Sequence, residues 1–276
     1  MTPENFGGPV EHRHAFDFSI LEETDDYLVV NKPAPLQIHP SKPSDAGLTL
    51  WDGLKAVLSY EMANGGQVSI INRLDRETSG LVLVAKNTAT ARLFGKAMMR
   101  RQVHKSYLAL VHGWPEWEST EVEAPILRQG EITPSRIWVK QCVHGSGAAC
   151  RSVFSVVQRF ALPNSGAGQY FTLVAAEPHT GRMHQLRVHL AHLGHPVVGD
   201  KIYGEDETCY LDFIETGWTS DMKRRLLLPR QALHSHRLTL ETPEGSRTWE
   251  APLTPDLLAF MQGQPEAQTP PQSPAT

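Results

Sequence analysis

Cysteine is scarce in this chain of 276 residues, with three in all: Cys142, Cys150 and Cys209. They are widely spaced, odd in number and form no C-x-x-C pair, so neither a disulfide framework nor a thiolate metal site is expected. Long apolar runs are missing too. No stretch approaches the roughly 18 uninterrupted apolar residues that cross a bilayer. A basic start followed by an apolar run is also absent, which removes the usual secretory signal. A cytoplasmic protein without a membrane partner is expected. There is no G-x-x-x-x-G-K-[ST] loop and no G-x-G-x-x-G after a strand, so nucleotide-cofactor enzymes lose their usual signals. Ser79 lies in Thr78-Ser79-Gly80 and lacks the glycine arrangement of a nucleophile elbow. Positive charge is not in excess either. The formal net charge of −4 argues against a protein that coats nucleic acid over its whole surface. A basic cleft on an acidic body remains compatible with it, because attraction depends on where charge sits.

What is present is an ordinary globular composition, 40% hydrophobic and 20% charged, long enough to bury a sizeable core. Residues 1–17 read as a loose segment, and 262–276, rich in Gln, Pro, Ser, Thr and Ala, as a disordered tail. Residues 18–261 are expected to form the folded body.

Within that body, Ile20 to Lys32 reads as two strands around Asp25-Asp26. Leu50 to Met62 has helical spacing, and Asn87 or Thr88 is placed to cap a helix running to about Gln102. That helix carries Arg92, Lys96 and Arg100 every four residues, read first as a solvated face and second as a phosphate-tracking stripe. Strands are expected at Val68–Ile71, Leu81–Val84, His104–Val111, Ser152–Arg159, Tyr170–Ala176 and Ala232–Leu240, and a helix at Met183–Leu193. Helices and strands mix without steady βαβ alternation. The fold class expected is α+β, a mixed, largely antiparallel sheet flanked by helices.

Two clusters could carry chemistry. His184, His189, His192 and His195 suggest a metal, but on a helix only His189 and His192 share a face, and zinc takes three or four converging ligands. No metal site is expected. The second cluster is the polar insert from Asn72 to Gly80 between two apolar strands, which should be a loop at an edge or cleft. Asp75, flanked by Arg73 and Arg76, should stay ionised and could act as a nucleophile. By spacing alone a surface Arg–Asp pair is the favoured reading.

The insert Asn72-Arg73-Leu74-Asp75-Arg76-Glu77-Thr78-Ser79-Gly80 closely resembles the H-R-L-D-x-x-T-S-G signature of the RluA-type pseudouridine synthases. Other segments resemble the same family in the same order. They are Val30-Asn31-Lys32-Pro33 with His39-Pro40, then Lys105-Ser106-Tyr107-Leu108-Ala109, then His179 to His189. His195-Pro196-Val197-Val198-Gly199-Asp200 follows, with Leu233-His234 and Arg237-Leu238 at the close. Two positions depart from the pattern. Asn72 replaces a histidine, which bears on how the loop is held, and Pro35 replaces a glycine in the upstream turn.

The resemblance implies the pseudouridine synthase catalytic fold and the isomerisation of uridine to pseudouridine in structured RNA, tRNA or rRNA or both. It implies Asp75 as catalytic aspartate, Arg187 as its cationic partner, Tyr107 as active-site tyrosine and Arg73 as the arginine that fills the gap left by a flipped base. No cofactor and no metal is implied. The family's N-terminal RNA-binding module has too few residues here, so the catalytic domain is expected to grip RNA alone, as a monomer, with no role for DNA. Two rivals remain: an inactive RNA-binding or chaperone-like protein on this fold, and a glycosidase that pairs Asp75 with a second carboxylate.

Overall fold

A computed structural model describes residues 17–162, 170–204, 206–242 and 245–264. Of the two ends expected to be loose, residues 1–16 and 265–276 lie outside the described residues. In chain order the elements are β1 (Ser19–Glu23), β2 (Tyr27–Lys32), α1 (Leu50–Val57), α2 (Ser59–Ala63), β3 (Ser69–Ile70), β4 (Ser79–Ala85), α3 (Thr88–Met99) and β5 (Val103–His112). There follow β6 (Ser119–Glu123), β7 (Ile126–Arg128), β8 (Gln141–Val143), β9 (Arg151–Ala161), β10 (Tyr170–Pro178) and α4 (Gln185–His192). The last are α5 (Thr208–Thr216), α6 (Ser220–Leu226), β11 (Leu233–Thr242), β12 (Gly245–Glu250) and α7 (Pro255–Met261).

Ten strands make one sheet in the order β1-β2-β4-β11-β5-β10-β9-β6, with β12 beside β11 and β3 beside β4. Every pairing is antiparallel except β4 with β11. The expected α+β fold with a largely antiparallel sheet is the one observed. β7 and β8 pair separately.

The continuous apolar run of β4 explains its central place. Val82 and Val84 join Leu28 and Val30 in the main core, while Leu81, Leu83 and Ala85 pack under Phe94 and Ala97 of α3. A strand covered on both faces needs no polar alternation. Each Val, Leu or Phe among them contributes about 1.5–3 kcal/mol by leaving water. Gly80 is needed where β4 meets β11: its φ is +108°, and a side chain there would run into the backbone of Ser235.

Several boundaries differ from the sequence reading, among them that the helix expected at Met183–Leu193 spans Gln185–His192 and that β4 begins at Ser79. The helix expected over Leu50–Met62 breaks at Leu58, whose φ of −95° and ψ of 23° leave the helical region. Asn87 caps α3 by accepting from Thr90 N at 2.9 Å. That helix stops three residues earlier than expected, because Arg101 turns left-handed at φ 59°. Gln102 N then bonds Ala97 O at 2.9 Å and Arg101 N bonds Met98 O at 3.2 Å, satisfying the last carbonyls of the helix.

Candidate active site

Residues 71–78 connect β3 to β4, and distant segments of chain hold this loop. Asn72 is buried; its Nδ2 donates to Leu81 O at 3.0 Å and its Oδ1 accepts from Leu83 N at 2.8 Å. An amide supplies both a donor and an acceptor, so Asn72 pins the start of the loop to β4 as one more rung would. This is how the loop is held where the motif's histidine is replaced. At its other end, Gln231 Nε2 donates to Thr78 Oγ1 at 2.6 Å, and Lys201 Nζ donates to Glu77 Oε1 at 2.7 Å.

Lys32 is fully buried, and its ammonium donates to the carbonyls of Pro33 at 2.8 Å, Leu36 at 2.8 Å and Arg76 at 3.2 Å. One cation thus ties the turn containing Pro35 to the loop that carries Asp75. Burial, aided by the nearby charge of Arg230, pushes Lys32 down to about 7.

Asp75 keeps 31% of its side chain exposed, so it is reachable from outside. Both of its hydrogen bonds fall on one oxygen: Arg187 Nη1 donates to Oδ2 at 2.9 Å and Gln231 Nε2 at 3.2 Å. Among the described residues Oδ1 has no partner. Desolvation would raise the pKa of Asp75, but the charges and hydrogen bonds of Arg187, His184 and Gln231 outweigh it and hold the carboxyl below its ordinary range.

Arg187, on α4, is 5% exposed and divides its fork between two carboxylates. Nε and Nη2 grip Asp200 at 2.6 and 2.8 Å, leaving Nη1 for Asp75. Asp200 is fully buried, and its Oδ1 also accepts from the backbone of Ile202 at 3.0 Å and Tyr203 at 3.1 Å. Burial opposes the charge on Arg187, yet Asp200 and Asp75 together raise its pKa above the ordinary value. Asp200 therefore locks the arginine, and the arginine aims Asp75.

His184 precedes α4 in the left-handed conformation, at φ 55°. The Tyr203 hydroxyl accepts from Gln141 N at 2.9 Å and shares a second hydrogen bond with His184 Nδ1, 2.7 Å away. Burial and the Arg187 charge push His184 down to about 4. The other ring nitrogen, Nε2, faces Asp75 Oδ2 at 4.0 Å.

Tyr107 on β5 is 8% exposed. Burial pushes its hydroxyl up to about 12, Ser235 offsets a little of this, and the Asp75 charge adds to it. Tyr107 is therefore a protonated ring in the field of the carboxylate. Arg73 is exposed on the same loop and near enough to His39 to help burial depress that imidazole. Arg187 and Tyr107 thus lie close to Asp75, while Arg73 is exposed two residues before it on the loop.

The sequence reading missed Gln231, Asp200 and Tyr203, and weighed His184 only as a metal ligand. Of the other histidines, His189 bonds Ser152 Oγ at 3.0 Å and Ala124 O at 2.9 Å, and His195 bonds His112 O at 2.9 Å. Among the described residues no group of three or more His, Cys, Asp or Glu could hold a metal ion. No helix among them is long and apolar enough to cross a membrane.

Comparison with known proteins places the chain in a family. The family model described as RNA pseudouridylate synthase matches residues 26–192. The ribosomal large subunit pseudouridine synthase D of Nitrosomonas europaea is 34% identical over 254 residues, 90% of this chain and 65% of that protein. An uncharacterized RNA pseudouridine synthase of Bacillus subtilis is 32% identical over 250 residues, covering 89% and 72%. This chain therefore spans 65% and 72% of the length of these two relatives. Among solved structures, human RNA pseudouridylate synthase domain containing 1 superposes with a TM-score of 0.67 at 27% identity, over 99% of this chain and 94% of that one. The chain belongs to the RNA pseudouridylate synthase family.

Proposed function

We propose that this chain isomerises uridine to pseudouridine in a structured RNA, with Asp75 as the catalytic carboxylate. The observation that carries the reading is the asymmetry of Asp75: Oδ2 is anchored by Arg187 and Gln231 while Oδ1 is unengaged on a part-exposed side chain. That is how a positioned nucleophile is held.

The reaction cleaves the bond from ribose to the uracil nitrogen, turns the base and joins it through carbon. A proton leaves that carbon and the nitrogen gains one, so no electrons are exchanged and nothing is hydrolysed. Attack on the base and attack at the sugar both require the same ionised carboxylate. Tyr107 offers a ring to stack on uracil and a hydroxyl that keeps its proton. Extrusion of the base costs a few kcal/mol. Arg73, a planar exposed cation on the same loop, offsets part of this by stacking in the gap. The glycosidase reading lacks its second acid: Asp200 is sealed under Arg187 and Glu77 is bonded to Lys201.

The relatives named for the large ribosomal subunit favour ribosomal RNA as target, with transfer RNA as the second choice. The test is chemical mapping of pseudouridine at single-nucleotide resolution in total tRNA and rRNA, with and without the gene. Sites that vanish with the gene and return with the wild-type chain support the reading. If no site changes while the chain is expressed, the non-catalytic RNA-binding reading takes its place.

A pH profile checks the electrostatics. Asp75 is held below its ordinary range and His184 is pushed down to about 4, so neither changes charge between pH 5 and 6, below the range in which Lys32 titrates. Single-turnover rates should therefore be level over that window. An acid limb centred near 6.5 would show that His184 titrates as an ordinary imidazole and would contradict the buried, Tyr203-bonded ring.

A further inference from the structure

A groove of about 650 Å³ lies between the end of α3, the start of β5 and the turn after β10. It adjoins the site along two lines. Lys105 in its floor is two residues from Tyr107 on β5, and alternate strand residues point to one face. The turn that forms its wall, 179–182, leads directly to His184, whose ring faces Asp75.

The charges in the groove are unevenly satisfied. Arg237 is paired with Glu250 at 2.6 Å and His104 with Glu241 at 2.9 Å. Arg101, Lys105 and Arg182 have no carboxylate partner among the described residues, and the one acid on the wall is Glu177. Lys105 is the telling member. It is partly buried beside Gly181, its ammonium makes no hydrogen bond among the described residues, and burial alone depresses its pKa. A half-buried ammonium without a counter-charge costs stability, so a fold that keeps one is suited to an anion that arrives from outside. Arg92, Lys96 and Arg100 extend the positive charge along the exposed side of α3, on a chain whose net charge is −4. Met98 and Met99 supply an apolar lip. Alternating cation and apolar surface is what a nucleic-acid strand requires, with phosphates on one and bases against the other.

We propose that this groove holds the RNA strand flanking the target uridine, with one backbone phosphate on Lys105 and its neighbours on Arg101 and Arg182. The inference rests on the RNA-modifying reading above and adds to it the path of the strand. α3 is the approach to that path, not merely a solvated face.

The test uses the full chain and a fluorescein-labelled pool of RNA stem-loops of mixed sequence, titrated at several KCl concentrations. Lys105→Met, Arg101→Ala and Arg182→Ala are compared with Lys223→Ala, an exposed cation on α6. Each groove variant should flatten the plot of log affinity against log salt by about 0.7–0.9 and weaken binding roughly three- to tenfold, whereas Lys223→Ala should change neither. Lys105→Met should also keep or raise the thermal midpoint, because it removes an unpaired charge. A structural lysine would lower it. Unchanged slopes, or an equal change in Lys223→Ala, would overturn the groove while leaving the catalytic reading intact. Failure of the unaltered chain to bind the pool at all would remove the RNA reading and the groove together.

Discussion

Asp75→Asn should reduce isomerisation by about 10⁴-fold or more while leaving the fold and RNA binding in place. The amide keeps the size of the carboxylate and can still accept from Arg187 and Gln231, which bond Oδ2 at 2.9 and 3.2 Å. What it loses is the negative charge and the nucleophilic lone pair of Oδ1. Single-turnover conversion of an RNA carrying the mapped uridine, read beside binding of that RNA, separates these contributions. A variant that binds normally and converts at more than a hundredth of the wild-type rate would exclude Asp75 as the group that attacks. A variant that no longer binds would instead make Asp75 a structural residue.

Arg187→Met should be the most damaging change to stability at the site, with a loss of about 3–5 kcal/mol. Asp200 is fully buried, and the arginine supplies two of the four hydrogen bonds it accepts, at 2.6 and 2.8 Å. Without that cation an isolated carboxylate stays in the interior. Pairing the change with Asp200→Asn should restore most of the urea midpoint, since the amide oxygen still accepts from Ile202 and Tyr203. Activity should not return, because Asp75 remains without its partner. The desolvation that Arg187 now overcomes would then dominate, and Asp75 would titrate above its ordinary value. Residual activity in the double variant should accordingly climb as pH rises, unlike the level profile of the wild type. Arg187→Lys should also fail, since one ammonium cannot replace a fork whose three nitrogens serve two acids. Equal stability of the single and double variants would show that Asp200 is not what makes the loss costly.

Much of the fold was legible. The Asn72–Thr78 part of the insert, set between apolar strands, read correctly as a loop, although Ser79 and Gly80 already belong to β4, and the alternation and apolar runs of β2, β4, β5 and β10 located those strands. β6, β7 and β8 went unseen because five or fewer residues with mixed exposure carry too little periodicity. The early end of α3 depended on Arg101 adopting a left-handed turn, which is uncommon for a residue with a side chain and has no signature in composition. The site divided along similar lines. Residue types near one another in sequence, as in the loop around Asp75, could be weighed by charge. Gln231 and Asp200 could not, since their meaning lies in contacts across the fold: Gln231 is 156 positions from the carboxylate it bonds. Asp200 stood in a recognised segment without a role until the fork of Arg187 was seen to need a second acid.

The place of β11 governs how the molecule can be made. The strand that fills the middle of the sheet, between β4 and β5, comes late in the chain at Leu233–Thr242. On the ribosome, β1, β2 and β4 can pair as they emerge, as can β5, β10 and β9, but these two groups remain separate ribbons. Each exposes an unpaired strand edge until β11 joins them, and such edges invite pairing with other chains. Gln231, which completes the Asp75 site, leaves the ribosome with the same strand. Closure of the sheet and assembly of the site are therefore one late event, so no half-made chain carries the complete Asp75 constellation while RNA lies close at hand.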